Sequence, residues 1–152
     1  MKTFSLIAVA LIAAACNSGT KMADTSINEA MTKQVLDHHI QTFQQNDLEG
    51  VLADYTEESI LITPDRTYTG LAEIRENFVG AFQALPAKGT TMTVIKTVST
   101  RDVGYMVWKA TTPTLEFKYA TDTFIVQNGK ILKQTYAGDV VPVAAAPVTP
   151  AK

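Results

Sequence analysis

Polar and apolar positions along this chain follow two periods, and the change from one to the other falls near residue 90. Before that point the apolar residues recur at helical spacing. Ile27, Met31, Val35, Leu36, His39, Ile40 and Phe43 share one side of a helix that is predicted to end near Gln45. Ser26-Ile27-Asn28-Glu29 opens it as a capping box, with hydroxyl and carboxylate satisfying free amides of the first turn. Asn46 or Asp47 caps a second helix, Glu49 is placed to complete its box, and Leu48, Val51, Leu52 and Tyr55 form its buried edge. Residues 59–62 are a β-branched apolar run stopped by Pro64, which predicts a strand. The turn Pro64-Asp65-Arg66-Thr67 returns a short second strand over 66–69, and Asp65-Arg66 reads as a solvated pair. Gly70 then caps a third helix, with Leu71, Ile74, Phe78, Phe82 and Leu85 on one face, closed by Pro86 and Gly89.

From Thr90 the period becomes that of strands. Residues 91–100, 103–111, 115–127 and 130–138 are rich in Thr, Val, Ile, Tyr and Phe. Arg101-Asp102 marks one turn, Thr112-Pro113-Thr114 a second, and Asn128-Gly129 is the strongest hairpin signal in the chain. Residues 140–152 carry Pro and Ala without usable periodicity and are expected to be a disordered tail. The block 47–82 is the centre of this plan, with the later strands packed on it as a sheet.

Composition narrows the classes. A chain of 152 residues with ordinary apolar content supports one core, and its net charge is −2. No run of Lys or Arg interleaved with aromatics occurs, so the electrostatic footprint of nucleic-acid binding is missing. The first fifteen residues have a positive start, an apolar run and a small-residue end, which is the pattern of an export signal. The only cysteine, Cys16, follows at once, so no disulfide can form within the chain. Ala13-Ala14-Ala15-Cys16 resembles the lipobox of bacterial lipoproteins, although Ala13 stands where that motif most often has Leu. The alternative is plain secretion with cleavage at the same site. Lipidation would make residues 16–25 a tether, and Asn17 in place of Asp would direct the protein to the outer membrane, facing the periplasm.

The phrases NDLEGVLADYTEESILITPD, GLAEIRENF and FIVQNGKI, in this order of elements, resemble the nuclear transport factor 2-like superfamily, closest in style to SnoaL-like and ketosteroid-isomerase-like domains. The resemblance covers residues 26–139. It implies an α+β fold in which a cone-shaped, curved antiparallel sheet wraps a long helix, with two further N-terminal helices and a pocket at one end. It also implies an isomerase, dehydratase or cyclase, a binding module for a small apolar or amphipathic molecule, or a dimerising domain joined through its sheet. No cofactor or metal is called for: the sequence holds no P-loop, dinucleotide fingerprint or H-x-x-x-H pair.

Carried over residue by residue, the resemblance puts Thr63 at the steroid-isomerase base position and Ile40 at its tyrosine position. A threonine hydroxyl takes no proton at neutral pH without a partner, which argues against that chemistry. Asp122 falls near the family's later aspartate. Strand alternation groups it with Ala120, Phe124 and Val126; if that face is inner, desolvation raises its pKa and makes it a candidate acid or donor. The opposite register would put Tyr119, Thr121, Thr123 and Ile125 inside. His39, on the apolar face of the first helix, is the candidate base, or else a core histidine bonded to a backbone carbonyl; His38 lies at the flank. Tyr55, Phe78, Phe82, Met106, Trp108, Phe124 and Tyr136 are the candidate pocket lining.

Overall fold

The structure, a computed structural model, describes residues 27–143. The export segment, Cys16, the tether, Ser26 and the residues from 144 onward lie outside the described residues. Three helices and six strands follow in the order α1 (Glu29–Gln44), α2 (Leu48–Leu52), β1 (Ile60–Ile62), β2 (Thr67–Thr69), α3 (Gly70–Ala84), β3 (Thr91–Thr100), β4 (Val103–Thr111), β5 (Leu115–Gln127) and β6 (Lys130–Pro142). This is an α+β fold with a curved, unclosed sheet, as the pattern and the resemblance imply.

The caps differ in detail from the sequence reading. Asn28 caps α1, its Oδ1 accepting from the Met31 amide at 3.2 Å, because an Asn side chain reaches the free first-turn donors as well as Ser does. Glu29 instead accepts from the Arg101 amide at 3.2 Å and ties α1 to the β3–β4 turn. Asp47 caps α2 by accepting from Gly50 N at 2.9 Å. Glu49 is drawn away from that cap by the Arg75 guanidinium, which it meets with both oxygens at 2.6 and 2.8 Å, joining α2 to α3. Arg66 likewise leaves Asp65. Its guanidinium lies 3.2 Å from Glu76 and 4.7 Å from the Tyr68 ring centroid, where a carboxylate and an aromatic face both favour it. Met31 stays 36% exposed, so the buried stripe of α1 is narrower than its apolar residues suggest.

The strand order is β2-β1-β6-β5-β4-β3. Every pairing is antiparallel except that of β1 with β6, which is parallel, a departure from the wholly antiparallel expectation. The cause is topological. After the β1–β2 hairpin the chain crosses through α3 to the far edge, and four strands meander back until β6 arrives beside β1 running the same way. Asn128 and Gly129 both take positive φ in the last hairpin, at 52° and 73°, as a tight two-residue turn requires. The strand pairing also continues past residue 139: Val140, Val141 and Pro142 lie opposite Phe117, Glu116 and Leu115. The expected tail therefore begins as strand, because the length of β5 leaves a ladder of backbone groups for it to satisfy.

Three irregularities bend the sheet. β3 carries an extra residue at Ile95, β5 one at Lys118, and β6 one at Leu132, opposite the step from Ile125 to Val126. Each resets the in–out alternation, so that Phe117 and Ala120 are both buried, and so are Ile131 and Gln134. α1 lies across β3, β4 and β5, while α3 packs on α2, β1 and β2. Between them the core gathers Leu36, Val51, Leu61, Ile74, Phe78, Phe124, Val126 and Ile131.

Gly70 starts α3 at φ +75°, and a Cβ there would sit 3.2 Å from the Glu57 carbonyl oxygen. Gly70→Ala should therefore lose about 1–2 kcal/mol of stability. Urea unfolding of the variant should show a lower midpoint with an unchanged m value.

Candidate functional site

Burial along β5 shows which face Asp122 occupies. It shares the inner face with Ala120, Phe124 and Val126, all buried, and is itself 6% exposed. Its neighbours on the adjoining strands satisfy it. The Trp108 indole on β4 donates Nε1–H to Oδ2 at 2.8 Å, and the Gln134 amide on β6 donates to Oδ1 at 2.8 Å. Gln134 in turn accepts from the Tyr55 hydroxyl. The chain Tyr55–Gln134–Asp122–Trp108 thus links the loop after α2 to three consecutive strands. An indole can only donate, so at least one Asp122 oxygen is fixed as an acceptor.

Desolvation pushes the Asp122 carboxyl above the ordinary aspartate value, opposed by the Trp108 and Gln134 hydrogen bonds and by the nearness of His39. Burial likewise drives the Tyr55 phenol well above its usual range, helped by the charges of Asp122 and Asp54.

His39 is 3% exposed and faces the same space. Its ring sits among aromatic rings: Phe124 at 5.1 Å, Tyr55 and Phe78 each at 5.8 Å, Phe43 at 6.5 Å between centroids. Among the described residues no backbone carbonyl bonds it. Its Nδ1 lies 3.5 Å from Asp54 Oδ2, and neither of these buried atoms has a hydrogen-bond partner among the described residues.

Asp122, His39 and Gln134 line one cavity of about 30 Å³ with Ile40, Phe43, Phe78, Met92, Met106 and Trp108. That is the space of a single water. Beyond it lies an outer cleft of about 220 Å³, bounded by Phe43, Gln44, Asn46, Leu85, Ala87, Thr90 and Met92. Phe43 and Met92 belong to both walls, so these two side chains separate the cleft from the cavity. The rim is held by Asn46, which takes φ 53° in the α1–α2 turn and donates to the Leu85 carbonyl at 3.1 Å. The Thr90 hydroxyl, buried in the cleft wall, has no partner among the described residues.

Of the residues singled out from the sequence, Asp122, His39, Phe78, Met106 and Trp108 meet at this cavity. Tyr55 and Phe124 reach it through Gln134 and His39. Phe82 packs at a tilt against Phe43 at 5.4 Å, and Tyr136 lies 6.3 Å from Trp108; neither lines the cavity. Thr63 is turned away, its hydroxyl spent on the Arg66 backbone in the β1–β2 turn. Sequence reading missed Gln134, because the extra residue at Leu132 reverses its face. It also missed Asp54, whose only signal was its place beside Tyr55 at the end of a short helix. Among the described residues no group of three His, Cys, Asp or Glu side chains is arranged to hold a metal ion.

The raised native value of Asp122 has a sign for stability. In the window from the ordinary aspartate range up to that value, the folded chain keeps a proton that the unfolded chain has released. The cost of burying the charge is therefore absent below the window and complete above it, and this group makes stability fall as pH rises through it. Asp122→Asn still accepts from Trp108 and lacks that charge. Denaturation from mildly acidic to neutral pH should show the variant gaining on the wild type as pH rises; a gap independent of pH would contradict the burial argument.

Comparison with known proteins places this geometry. The model of the SnoaL-like domain family matches residues 36–134, which spans α1 to β6. Among solved structures, a candidate ketosteroid isomerase of Kribbella flavida superposes with a TM-score of 0.62 at 16% identity, covering 82% of this chain and 87% of its own. A SnoaL-like protein of unknown function from Burkholderia thailandensis gives 0.60 at 14% identity over 75% and 98% of the two chains. A candidate polyketide cyclase of Sinorhizobium meliloti gives 0.58 at 13% over 68% and 94%. No curated protein matches. With more than half of its length matched by the family model and the same curved sheet in its structural neighbours, this chain belongs to the SnoaL-like domain family, within the nuclear transport factor 2-like fold.

Proposed function

We propose that this domain binds a small, largely apolar molecule whose body occupies the outer cleft and whose one polar end passes between Phe43 and Met92. The observation that carries this reading is a buried carboxylate and a buried imidazole facing one cavity whose other walls are mainly apolar. An apolar wall supplies affinity, and a few convergent polar groups fix orientation. The 30 Å³ cavity admits only the polar tip, so entry needs the unbranched Met92 side chain to swing aside. Thr90 offers a second hydrogen bond in the cleft.

Trp108 is the only tryptophan in the chain and stands at the cavity wall, so its fluorescence reports occupancy. Titration with a panel of small apolar alcohols, ketones and carboxylic acids should perturb that emission saturably for the members that fit. Asp122→Ala should weaken the best of them roughly 10-fold or more, the scale of one lost hydrogen bond to a charged group. A cavity that no member of the panel enters, by fluorescence and by native mass spectrometry, would overturn the binding reading.

A second reading is favoured by the meeting of His39 and Asp122 at one cavity: a proton-transfer enzyme of the isomerase, dehydratase or cyclase kind. The names of the Kribbella and Sinorhizobium neighbours are consistent with it. Steroid-isomerase chemistry is disfavoured by the Thr63 hydroxyl tied into its turn and by the apolar Ile40 in the cavity wall. If proton transfer occurs, a bound carbonyl compound should exchange its α-hydrogens in D2O, and His39→Ala should stop the exchange while leaving binding largely intact.

Export with a lipid on Cys16, in the outer membrane, belongs to the same proposal and rests on the sequence of the first seventeen residues. The mass of the mature N-terminus from a bacterial host tests it. A homodimer through the outer sheet face is supported by exposed Ile95, Val98 and Tyr119.

A further inference from the structure

Two residues beside the cavity, His38 and Asp54, have no part in the binding reading, and with His39 they meet at the Asp54 carboxylate. Successive α1 side chains diverge by about 100°, so His38 and His39 point in different directions. The His39 side chain is buried, whereas the His38 side chain is 47% exposed. Asp54, in the segment after α2, fills the angle between them. Its Oδ1 is 2.8 Å from His38 Nδ1, and its Oδ2 is 3.5 Å from His39 Nδ1. The backbone that carries this carboxylate is held from both sides. Asp54 N donates to Val51 O at 3.2 Å, and Asp54 O accepts from Ile131 N at 2.8 Å. The helix backbone that carries the two imidazoles is tied as well, because the Thr42 hydroxyl bonds back to the carbonyls of His38 and His39 at 2.9 and 3.2 Å.

Two orphan atoms therefore face each other. Asp54 Oδ2 is an acceptor and His39 Nδ1, 3.5 Å away, can donate to it, while a carboxylate oxygen buried without a donor is costly. The charged and titratable groups around His39 are Asp54 in the segment after α2, Tyr55 beside it and Asp122 on β5; α3 contributes the Phe78 ring. Asp122 is already engaged on both oxygens by Trp108 and Gln134. Asp54 alone has an oxygen to spare.

We propose that Asp54 is the positioning residue of this site: one carboxylate shared by two imidazoles, holding His39 with its proton on Nδ1 and leaving Nε2 as the basic nitrogen. His38, pinned to the other oxygen, keeps the carboxylate turned so that Oδ2 meets His39. No proton moves in this arrangement; the carboxylate selects one neutral form of the ring over the other. That Nε2 serves a ligand or substrate rests on the reading of the cavity given above, while the tautomer does not.

The chain holds only two histidines, so long-range ¹H–¹⁵N correlation spectra of the labelled protein contain two rings. His38→Gln, at an exposed side chain, keeps an N–H donor for Asp54 Oδ1, leaves one ring and identifies His39. At about pH 9, above the ordinary imidazole range, both wild-type rings should show a protonated Nδ1 and a pyridine-type Nε2, the reverse of the tautomer that free histidine favours. His39 should keep this form in His38→Gln and change mainly to Nε2–H in Asp54→Asn, an effect that loss of packing alone does not produce. A wild-type His39 protonated on Nε2, or a pattern unchanged in Asp54→Asn, would overturn the proposal. The wild-type and His38→Gln spectra decide the matter even if Asp54→Asn fails to fold. None of these spectra needs a ligand, so an empty fluorescence titration with the expected tautomer would remove the binding reading and leave the carboxylate's role standing.

Discussion

Six strands can enclose helices on one side only if the sheet bends, and in this domain the bend is made by three inserted residues. Ile95, Lys118 and Leu132 each stand opposite no partner, and the ladder turns at each of them. The same insertions decide which side chains face inward. Without the extra residue at Leu132, Gln134 would point to solvent if Ile131 stayed in the core. Without the one at Lys118, Phe117 and Ala120 could not share a face. Curvature and the composition of the interior are thus one fact seen twice.

The concave side holds a polar chain that an apolar core would not tolerate in pieces. Trp108, Asp122, Gln134 and Tyr55 come from three strands and a loop, and each satisfies the next. A buried carboxylate is expensive, and two charge-assisted hydrogen bonds offset much of that cost without restoring what water gave. The residual penalty is what lifts the Asp122 carboxyl above its usual range. His39 is placed differently. Surrounded by aromatic rings, it has no donor or acceptor from the sheet among the described residues and looks to Asp54 instead. Each of the two cavity-facing ionisable groups therefore has its own supporting set, one along the sheet and one along the helices.

Family membership explains the hollow but not its use. The neighbours of known shape share the curved sheet at 12–16% identity, a range in which the backbone plan persists while the inner side chains turn over. In this chain the hollow is nearly filled, with Phe43 and Met92 standing between a small inner space and a wider cleft. A site of that form suits a small molecule held at one end more than a large one swallowed whole.

Much of this was legible in the linear sequence. Helical spacing from Ile27 to Phe43, the Pro64 turn, the Asn128-Gly129 hairpin and the β-branched strands are local signals, and local signals are set by backbone sterics that a few adjacent residues express. They were enough to give the order of elements and, with the resemblance, the fold. What the sequence left open was which residues meet. Asp122 could face either way by alternation alone, and only the curvature and the covering helices made its side the inner one. Asp54 and Gln134 lie 80 positions apart, and both flank the cavity because β6 returns beside β1 after the sheet has bent. Such contacts depend on register, and register depends on where extra residues fall; a single insertion reverses every side chain beyond it. The sequence by itself therefore determined the elements and their order, whereas the tertiary structure decided the company each polar side chain keeps.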